Sequence, residues 1–171
     1  AEQHIIPDLS AQDIVAAARF LATRPEIDAT RMGGLGICAS AGYMTDAVAR
    51  SGDLRALALV APWMHDAEIV DAVYGGQQGV SALIEASRDA EDAGSPVMLE
   101  AASLINESAL MYQAPYYTEA NRGKIPEYVN QFNVASWEGW LTYDAIALSD
   151  DISGTPLTIV HSEAAAIPQG V

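Results

Sequence analysis

The sequence contains few of the residues on which several classes of protein depend. Cys38 is the single cysteine in 171 residues, so the chain can form no internal disulfide and no thiolate metal cluster. Its three histidines, His4, His65 and His161, are far apart and lack ligand spacing, so we expect no bound metal. No apolar run is long enough to span a bilayer. Independence from disulfides fits a cytoplasmic protein, which is the location we expect.

Basic residues are also scarce. The chain has 8 Lys and Arg against 23 Asp and Glu, which gives a formal net charge of −15. Such a surface repels nucleic acids and anionic membranes, and no local cluster of Lys and Arg offsets this. We therefore expect neither nucleic acid nor membrane as a partner.

Half of the residues are hydrophobic, enough to build a core, and their spacing predicts alternating helices and strands. Ser10 is a candidate N-cap for a first helix that ends before Pro25. Short apolar runs predict buried strands at 57–61 and 156–161, and length and position predict another at 31–37 despite its three glycines. A helix over 39–50, ended by Ser51-Gly52, separates the first two strands. This order is typical of a parallel sheet covered on both faces.

No comparable strand signal appears between Pro62 and Thr155. Apolar periodicity predicts helices over 66–74 and 79–92, and the composition favours helix over 96–112 and 137–148. This segment is rich in Tyr and Trp.

The segment Gly36-Ile37-Cys38-Ala39-Ser40 has the composition of a nucleophile elbow, a sharp strand-to-helix turn flanked by small residues. Two registers are open. Cys38 stands at the apex if Gly36 is the small residue two positions before it, and this gives the strand a normal length. The alternative register makes Ser40 the nucleophile, lengthens the strand and puts a thiol at the small position. We favour Cys38.

Two other interpretations compete with an elbow. Cys38 is a buried core thiol in the first, which is a common fate of cysteine. A phosphate or dinucleotide site is the second, but Gly33, Gly34 and Gly36 do not form the G-x-G-x-x-G pattern, and no P-loop Lys-Ser/Thr pair follows.

Three longer stretches resemble one branch of a known superfamily. They are Arg31-Met-Gly-Gly-Leu-Gly-Ile-Cys-Ala-Ser-Ala-Gly-Tyr43, Leu57-Ala-Leu-Val-Ala-Pro-Trp-Met-His-Asp66 and Pro156-Leu-Thr-Ile-Val-His-Ser-Glu163. Together they resemble the dienelactone-hydrolase-like and polyketide-transferase-like branch of the α/β-hydrolase superfamily. The resemblance implies a parallel-sheet α/β core with an inserted helical cap.

The resemblance also implies a domain division and a pocket. The core corresponds to 1–61 and 155–171, and the mostly helical cap to 62–154. Trp63 and His65 follow a strand at its carboxyl end, where α/β sheets bind ligands, and are candidate pocket residues. Ala39, next to the apex, offers its backbone N–H to an oxyanion hole.

The catalytic acid and base depart from the superfamily pattern. Ser162 matches the small residue that ends the strand, but Ala165 stands where the acid is expected, so Glu163 is the nearest candidate. His161 lies on the wrong element to be the base, and the position of the usual histidine is absent. The opening strands also lack counterparts, so we expect a partial hydrolase core that forms homo-oligomers or associates with the rest of a longer protein.

The resemblance implies a hydrolase for ester, thioester or lactone bonds in small acyl substrates, without a cofactor. Cys38 or Ser40 would be its nucleophile. The alternative is a hydrolase-like binding or scaffold protein without activity, which the missing base favours.

Overall fold

The computed structural model describes residues 5–165. The α-helices in this range are α1 (Pro7–Ala22), α2 (Ser40–Ser51), α3 (Ala67–Val73), α4 (Gly76–Asp92), α5 (Pro115–Thr118) and α6 (Trp137–Leu141). The strands are β1 (Gly34–Ile37), β2 (Leu57–Val60), β3 (Met98–Glu100), β4 (Ala102–Ser103), β5 (Met111–Tyr112), β6 (Gln131–Asn133) and β7 (Leu157–Val160). Short 3₁₀ helices cover Ala29–Arg31, Val134–Ser136 and Ala147–Ile152.

The chain forms two compact units. The first contains Ile6–Val80 and residues 141–165, and the second contains Ile5 and Ser81–Trp140. The division into a core and a helical cap over 62–154 remains a prediction, because the presence of two compact units does not identify either of them as a cap.

A parallel sheet of order β1-β2-β7 organises the first unit. Gly34 pairs with Leu57 and Leu57 with Leu157, and the three strands then run in step to their carboxyl ends. All three strands of this sheet were predicted, β2 and β7 from apolar runs and β1 from its length and position, and the parallel sheet confirms the expected α/β class.

The core of the first unit lies where α1 and α2 cover one face of this sheet. Its buried members come from both helices, from the loop that joins α2 to β2, from β2 and from the 3₁₀ helix before β7: Ala18, Ala41, Val48, Leu54, Leu57, Leu59 and Ile152. The opposite face is open, since Leu35 and Ile37 of β1 are each 55% exposed. The expectation of a sheet covered on both faces is therefore wrong for the described residues.

The third predicted strand is present but is not buried. Ile159 and Val160 of β7 are 52% and 58% exposed, and all four residues of the strand are open to solvent. The apolar run correctly indicated a strand, but burial also requires a neighbour. Within residues 5–165 no strand pairs with the outer edge of β7.

The first helix begins earlier than predicted. It starts at Pro7, a residue whose fixed φ suits the first helical turn, and its N-cap is Ile6 rather than Ser10. The Ser10 N–H instead donates to the carbonyl of Ile6 at 2.9 Å. Helix α2 ends as predicted, with Gly52 in the left-handed conformation at φ 61°.

The second unit contains strands where sequence periodicity predicted none. The antiparallel pair β3-β6 and the short pair β4-β5 cross the segment 96–112, so the helix predicted there is wrong. The Asn130 side chain supports these strands by bonding both backbone groups of Ala102, at 2.7 Å to its N–H and 2.8 Å to its carbonyl oxygen. Strands of two or three residues are too short for periodicity to reveal.

Candidate active site

Cys38 directly follows β1, before α2, and has a left-handed backbone conformation. Its φ is 55°, a region that residues with a side chain rarely adopt and that costs roughly 1–2 kcal/mol. The strand ends at Ile37 and the helix begins at Ser40, so the chain reverses direction within two residues. The Cys38 side chain is exposed. The interpretation as a buried core thiol is therefore wrong.

Three backbone hydrogen bonds hold this turn in place. The Cys38 N–H donates to the carbonyl of Val60 at 3.1 Å and continues the β1-β2 pairing by one residue. The Cys38 carbonyl oxygen accepts from Ala41 N–H and from Trp63 N–H, each at 3.0 Å. Neighbouring elements on both sides therefore fix the strained residue, as a conformation of this cost requires.

Gly36 allows the helix to approach the strand. A Cβ atom built on Gly36 would lie 2.6 Å from the Cα of Ala41 and 2.9 Å from the carbonyl oxygen of Ser40. Both are backbone atoms that cannot move aside. The small residue two positions before the apex, which favoured Cys38 in the sequence, is thus a steric requirement of this turn.

The Ser40 hydroxyl is engaged by the strand that precedes it. Its oxygen accepts from the Ile37 N–H at 2.9 Å, and its O–H donates to the Ile37 carbonyl at 2.8 Å. These two bonds satisfy the backbone N–H and carbonyl groups of Ile37, the last residue of β1. A hydroxyl so engaged must break a hydrogen bond before it can attack a substrate, whereas the Cys38 side chain is exposed.

Ala39 precedes the first helical residue and faces the site through its backbone. Its dihedrals are already helical, at φ −58° and ψ −32°. Within residues 5–165 its N–H makes no hydrogen bond. A free N–H beside the apex, at the positive end of a 12-residue helix, is suited to stabilise negative charge.

The carboxyl ends of the three parallel strands form one row. Because the strands are in register, the residues directly after them are Cys38, Ala61 and His161. Ala61 is left-handed as well, at φ 45°, and its N–H donates to the Val160 carbonyl at 2.7 Å. The Nδ1 atom of His161 is buried and has no hydrogen-bond partner among the described residues.

Trp63 and His65 follow β2 and are linked to each other. The indole Nε1–H of Trp63 donates to His65 Nδ1 at 3.2 Å. Since an indole N–H can only donate, His65 Nδ1 carries no proton and the ring is the neutral tautomer protonated at Nε2. His65 is 1% exposed. Sequence position alone did not indicate this pairing.

Glu163 lies in a turn that follows β7. The Ser162 hydroxyl accepts from Ala164 N–H at 3.1 Å, and the Ser162 carbonyl accepts from Ala165 N–H at 3.2 Å. Glu163 itself is exposed, and among the described residues it makes no hydrogen bond or ion pair. The strand β2 lies between its strand and that of Cys38. The structure therefore joins Trp63 to Cys38 by a backbone hydrogen bond and does not so join Glu163.

Sequence reasoning missed two tyrosines near the turn at Cys38. The rings of Tyr43 and Tyr143 lie 6.0 Å apart, and the edge of His65 meets Tyr143 at 6.3 Å. Both tyrosine hydroxyls are buried without a hydrogen-bond partner among the described residues. Burial raises the pKa of Tyr43, and the nearby Cys38 raises it further. Burial likewise raises the pKa of Tyr143, with Asp46 contributing.

The described residues give no sign of two other kinds of site. Among residues 5–165, no group of three or more His, Cys, Asp or Glu side chains is placed to hold a metal ion. None of the helices in this range combines the length and apolar character needed to cross a bilayer.

Comparison with solved structures identifies the architecture. The crystal structure of the α/β hydrolase GrgF from Penicillium sp. sh18 superposes with a TM-score of 0.72 and 19% identity, over 95% of this chain and 55% of that one. This chain has an α/β-hydrolase-like fold. The structure of DcsB in complex with its substrate analogue also superposes on this chain. The TM-score is 0.71 and the identity 18%, over 94% of this chain and 56% of that one.

Sequence comparison finds two curated relatives of this α/β-hydrolase-like chain. No protein-family model matches it. It is 26% identical to the uncharacterized protein YcjY of Escherichia coli (strain K12), over 90% of this chain and 53% of that protein. It is 28% identical to the uncharacterized protein PA2218 of Pseudomonas aeruginosa, over 93% and 46% respectively. The crystal structure of PA2218 superposes with a TM-score of 0.75. The chain thus spans about half the length of the curated relatives it matches.

Proposed function

We propose that this chain carries the nucleophile of a hydrolase that cleaves ester, thioester or lactone bonds, with Cys38 as the attacking residue. The observation that supports this most directly is the left-handed apex. Cys38 is exposed at φ 55° between a strand and a helix, at the carboxyl edge of a parallel sheet. Such strain persists only where the surroundings impose it, and it is concentrated at functional sites.

The proposed reaction proceeds through an acyl-enzyme. The Cys38 sulfur attacks the substrate carbonyl carbon, and the carbonyl oxygen gains negative charge beside the Ala39 N–H and the positive end of α2. The carbon–oxygen or carbon–sulfur bond to the leaving group then breaks, and the leaving group takes up a proton. Water attacks the resulting thioester, releases the acid and regenerates the thiol. Ser40 supports the turn through Ile37 rather than attacking.

The remaining site residues have supporting roles in this proposal. Trp63 and His65 line the substrate pocket, and Glu163 serves as the acid. We place the general base outside the described residues, in the part of the relatives' length that this chain does not span or on a neighbouring subunit. A small acyl compound is the proposed substrate and the cytoplasm the proposed location.

The direct test is release of p-nitrophenol from short p-nitrophenyl esters. We expect a burst of one equivalent per chain, which Cys38→Ala abolishes and Ser40→Ala retains. The burst isolates acylation, so it remains visible where deacylation is slow for want of a base. Loss of the burst in Ser40→Ala alone would transfer the role to Ser40. Full activity in both variants would show that the elbow is not the reactive site.

A second candidate function is a hydrolase-like binding or scaffold protein without catalysis. The Trp63–His65 hydrogen bond favours this second function, because the indole N–H occupies His65 Nδ1, a nitrogen that a general base would use to accept a proton. Alkylation by iodoacetamide at neutral pH discriminates between the two. A rate for Cys38 above that of glutathione supports the enzyme, whereas a rate at or below it supports the scaffold.

A further inference from the structure

A cleft in the second unit is walled by three tyrosines. Tyr116, Tyr117 and Tyr128 line an open cavity of about 440 Å³, together with Gly123, Ile125, Glu127 and Val129. This volume falls within the range typical of small-ligand sites, about 300–1,000 Å³. All of these residues belong to the second unit, within Ser81–Trp140.

The three rings contact one another. Tyr117 and Tyr128 lie with their ring centroids 5.9 Å apart and their planes tilted by 33°. The Tyr116 ring meets the Tyr117 ring edge-on, at 5.1 Å and 84°. Because all three tyrosines line the cleft, a ligand inside it meets several aromatic side chains.

The Tyr116 ring packs against a glycine. A Cβ built on Gly123 would lie 2.3 Å from the Cζ atom of Tyr116, so the ring lies directly against the loop backbone. The Gly123 N–H also donates to the Tyr116 carbonyl at 3.0 Å. Any larger residue at position 123 would therefore displace this ring, which is otherwise 60% exposed.

The charges around the cleft favour a cation. Glu127 is the charged residue of the lining. Arg122 is neutralised by Glu119 at 2.7 Å, and Lys124 is exposed but is not part of the lining. The whole chain carries a net charge of −15, which attracts cations toward any such surface.

We propose that the cleft of Tyr116, Tyr117 and Tyr128 binds a quaternary ammonium or similar small organic cation, with Glu127 as its counter-charge. The negative faces of aromatic rings attract cations, and trimethylammonium groups in particular, because such groups are large, weakly hydrated and matched to ring surfaces. A carboxylate at the rim adds attraction without requiring a hydrogen-bond donor on the ligand.

Titration with choline, compared with its neutral isostere 3,3-dimethyl-1-butanol, tests the proposal on the full chain. The two compounds have nearly the same shape and differ in the charge of the central atom. We expect saturable shifts of the tyrosine ring protons in NMR spectra with choline, and binding about tenfold weaker with the alcohol. Sodium chloride at matched concentration accounts for ionic strength. Equal affinity for the two compounds, or no saturable shift with choline, would overturn the proposal.

Matched variants separate recognition from folding. Tyr128→Phe keeps the ring and should bind choline as the parent chain does, whereas Tyr128→Ala should weaken binding about tenfold. Glu127→Gln should weaken it several-fold, and Lys124→Ala should leave it unchanged or slightly tighter. Tyr112→Ala removes an exposed tyrosine outside the cleft and should have no effect. Choline binding that survives Tyr128→Ala in a folded chain would place the cation elsewhere.

Discussion

The backbone N–H of Trp63 donates a hydrogen bond of 3.0 Å to the carbonyl oxygen of Cys38. This bond joins the residue at the apex of the turn to the segment that follows the neighbouring strand. The indole of the same Trp63 donates to His65. One residue therefore connects the backbone of the candidate nucleophile to the buried imidazole, and displacement of this segment would affect both.

Gly36→Ala should destabilise the chain strongly. The added methyl group would meet the backbone of Ala41 at 2.6 Å, which forces the helix away from the strand. We expect a loss of about 1–3 kcal/mol in the free energy of unfolding, measured by urea denaturation. Gly154→Ala is the matched control, because a Cβ there meets nothing within 4 Å. Similar losses in the two variants would contradict the close approach described for Gly36.

Cys38→Gly should be more stable than Cys38→Ala. Glycine adopts the left-handed conformation without steric cost, whereas alanine retains the strain that the native cysteine bears at φ 55°. We expect a difference of about 1 kcal/mol in the free energy of unfolding. Ala49→Gly, within α2, is the control. It should be less stable than the parent chain with Ala49, the opposite order, because glycine destabilises a regular helix. An alanine variant as stable as the glycine variant would argue against strain at the apex.

Arg50→Met should expose the cost of a buried carboxylate. Asp46 is 2% exposed and receives two hydrogen bonds from Arg50, at 2.5 and 2.9 Å, while Asp8 approaches the same guanidinium at 2.6 Å. Without the cation, Asp46 is a buried carboxylate with no positive charge beside it. We expect the free energy of unfolding to fall by about 2–3 kcal/mol, less than for a fully buried pair because Arg50 is 44% exposed.

The control for this ion pair is Arg88→Met. Arg88 bonds Glu138 in a similar two-point contact, but its side chain is 65% exposed, so the loss should be much smaller than for Arg50→Met. Thermal or urea unfolding of both variants gives the comparison. Equal losses would mean that burial of Asp46 does not set the cost.

Stability should fall at alkaline pH through the buried tyrosines. The pKa values of Tyr43 and Tyr143 are raised above the ordinary value of 10.0 in the folded chain. The folded state therefore keeps protons that the unfolded state releases. Below pH 10 this stabilisation is fully present, and above it the unfolding free energy should fall by up to about 1.4 kcal/mol per pH unit for each tyrosine.

Phenylalanine substitutions test whether Tyr43 and Tyr143 cause this fall of the unfolding free energy with pH. Tyr43→Phe and Tyr143→Phe should each flatten the fall in stability above pH 10, and Tyr112→Phe, at an exposed position, should not. Denaturant unfolding at a series of alkaline pH values provides the measurement. A slope unchanged in the double variant would show that other groups govern alkaline unfolding.

We expect the chain to self-associate through its open sheet. Leu35 on β1 and Ile159 on β7 are both about half exposed, on strands whose outer edges have no partner within residues 5–165. Exposed apolar edge strands promote pairing between chains. Light scattering after size-exclusion chromatography should show species larger than a monomer, and Ile159→Lys should reduce them. Val73→Lys, on α3, is the control, and a monomer at every concentration would contradict the expectation.

The strands of the main sheet and the apex of the turn were predictable because local sequence encodes them. Four-residue apolar runs define β2 and β7, and the spacing from Gly36 to Cys38 indicates which residue turns the chain. Burial was not predictable in the same way. Ile159 has the sequence character of a core residue, but its exposure depends on what pairs beyond its strand.

The short strands and the hydrogen bonds of the site were beyond sequence reasoning for a different reason. β3 and β6 pair residues about 30 positions apart, and two or three residues carry no usable periodicity. The engagement of the Ser40 hydroxyl by Ile37, and of His65 by Trp63, depends on side-chain rotamers. Residue type and spacing do not specify a rotamer.

Cys38 itself is held in the turn by backbone atoms: the carbonyl of Val60 and the N–H groups of Ala41 and Trp63. None of these three bonds uses the sulfur. The position of the turn and the chemistry of its side chain are consequently specified by different atoms. A single substitution at position 38 therefore replaces the side-chain chemistry without removing any of the bonds that hold this residue between the strand and the helix.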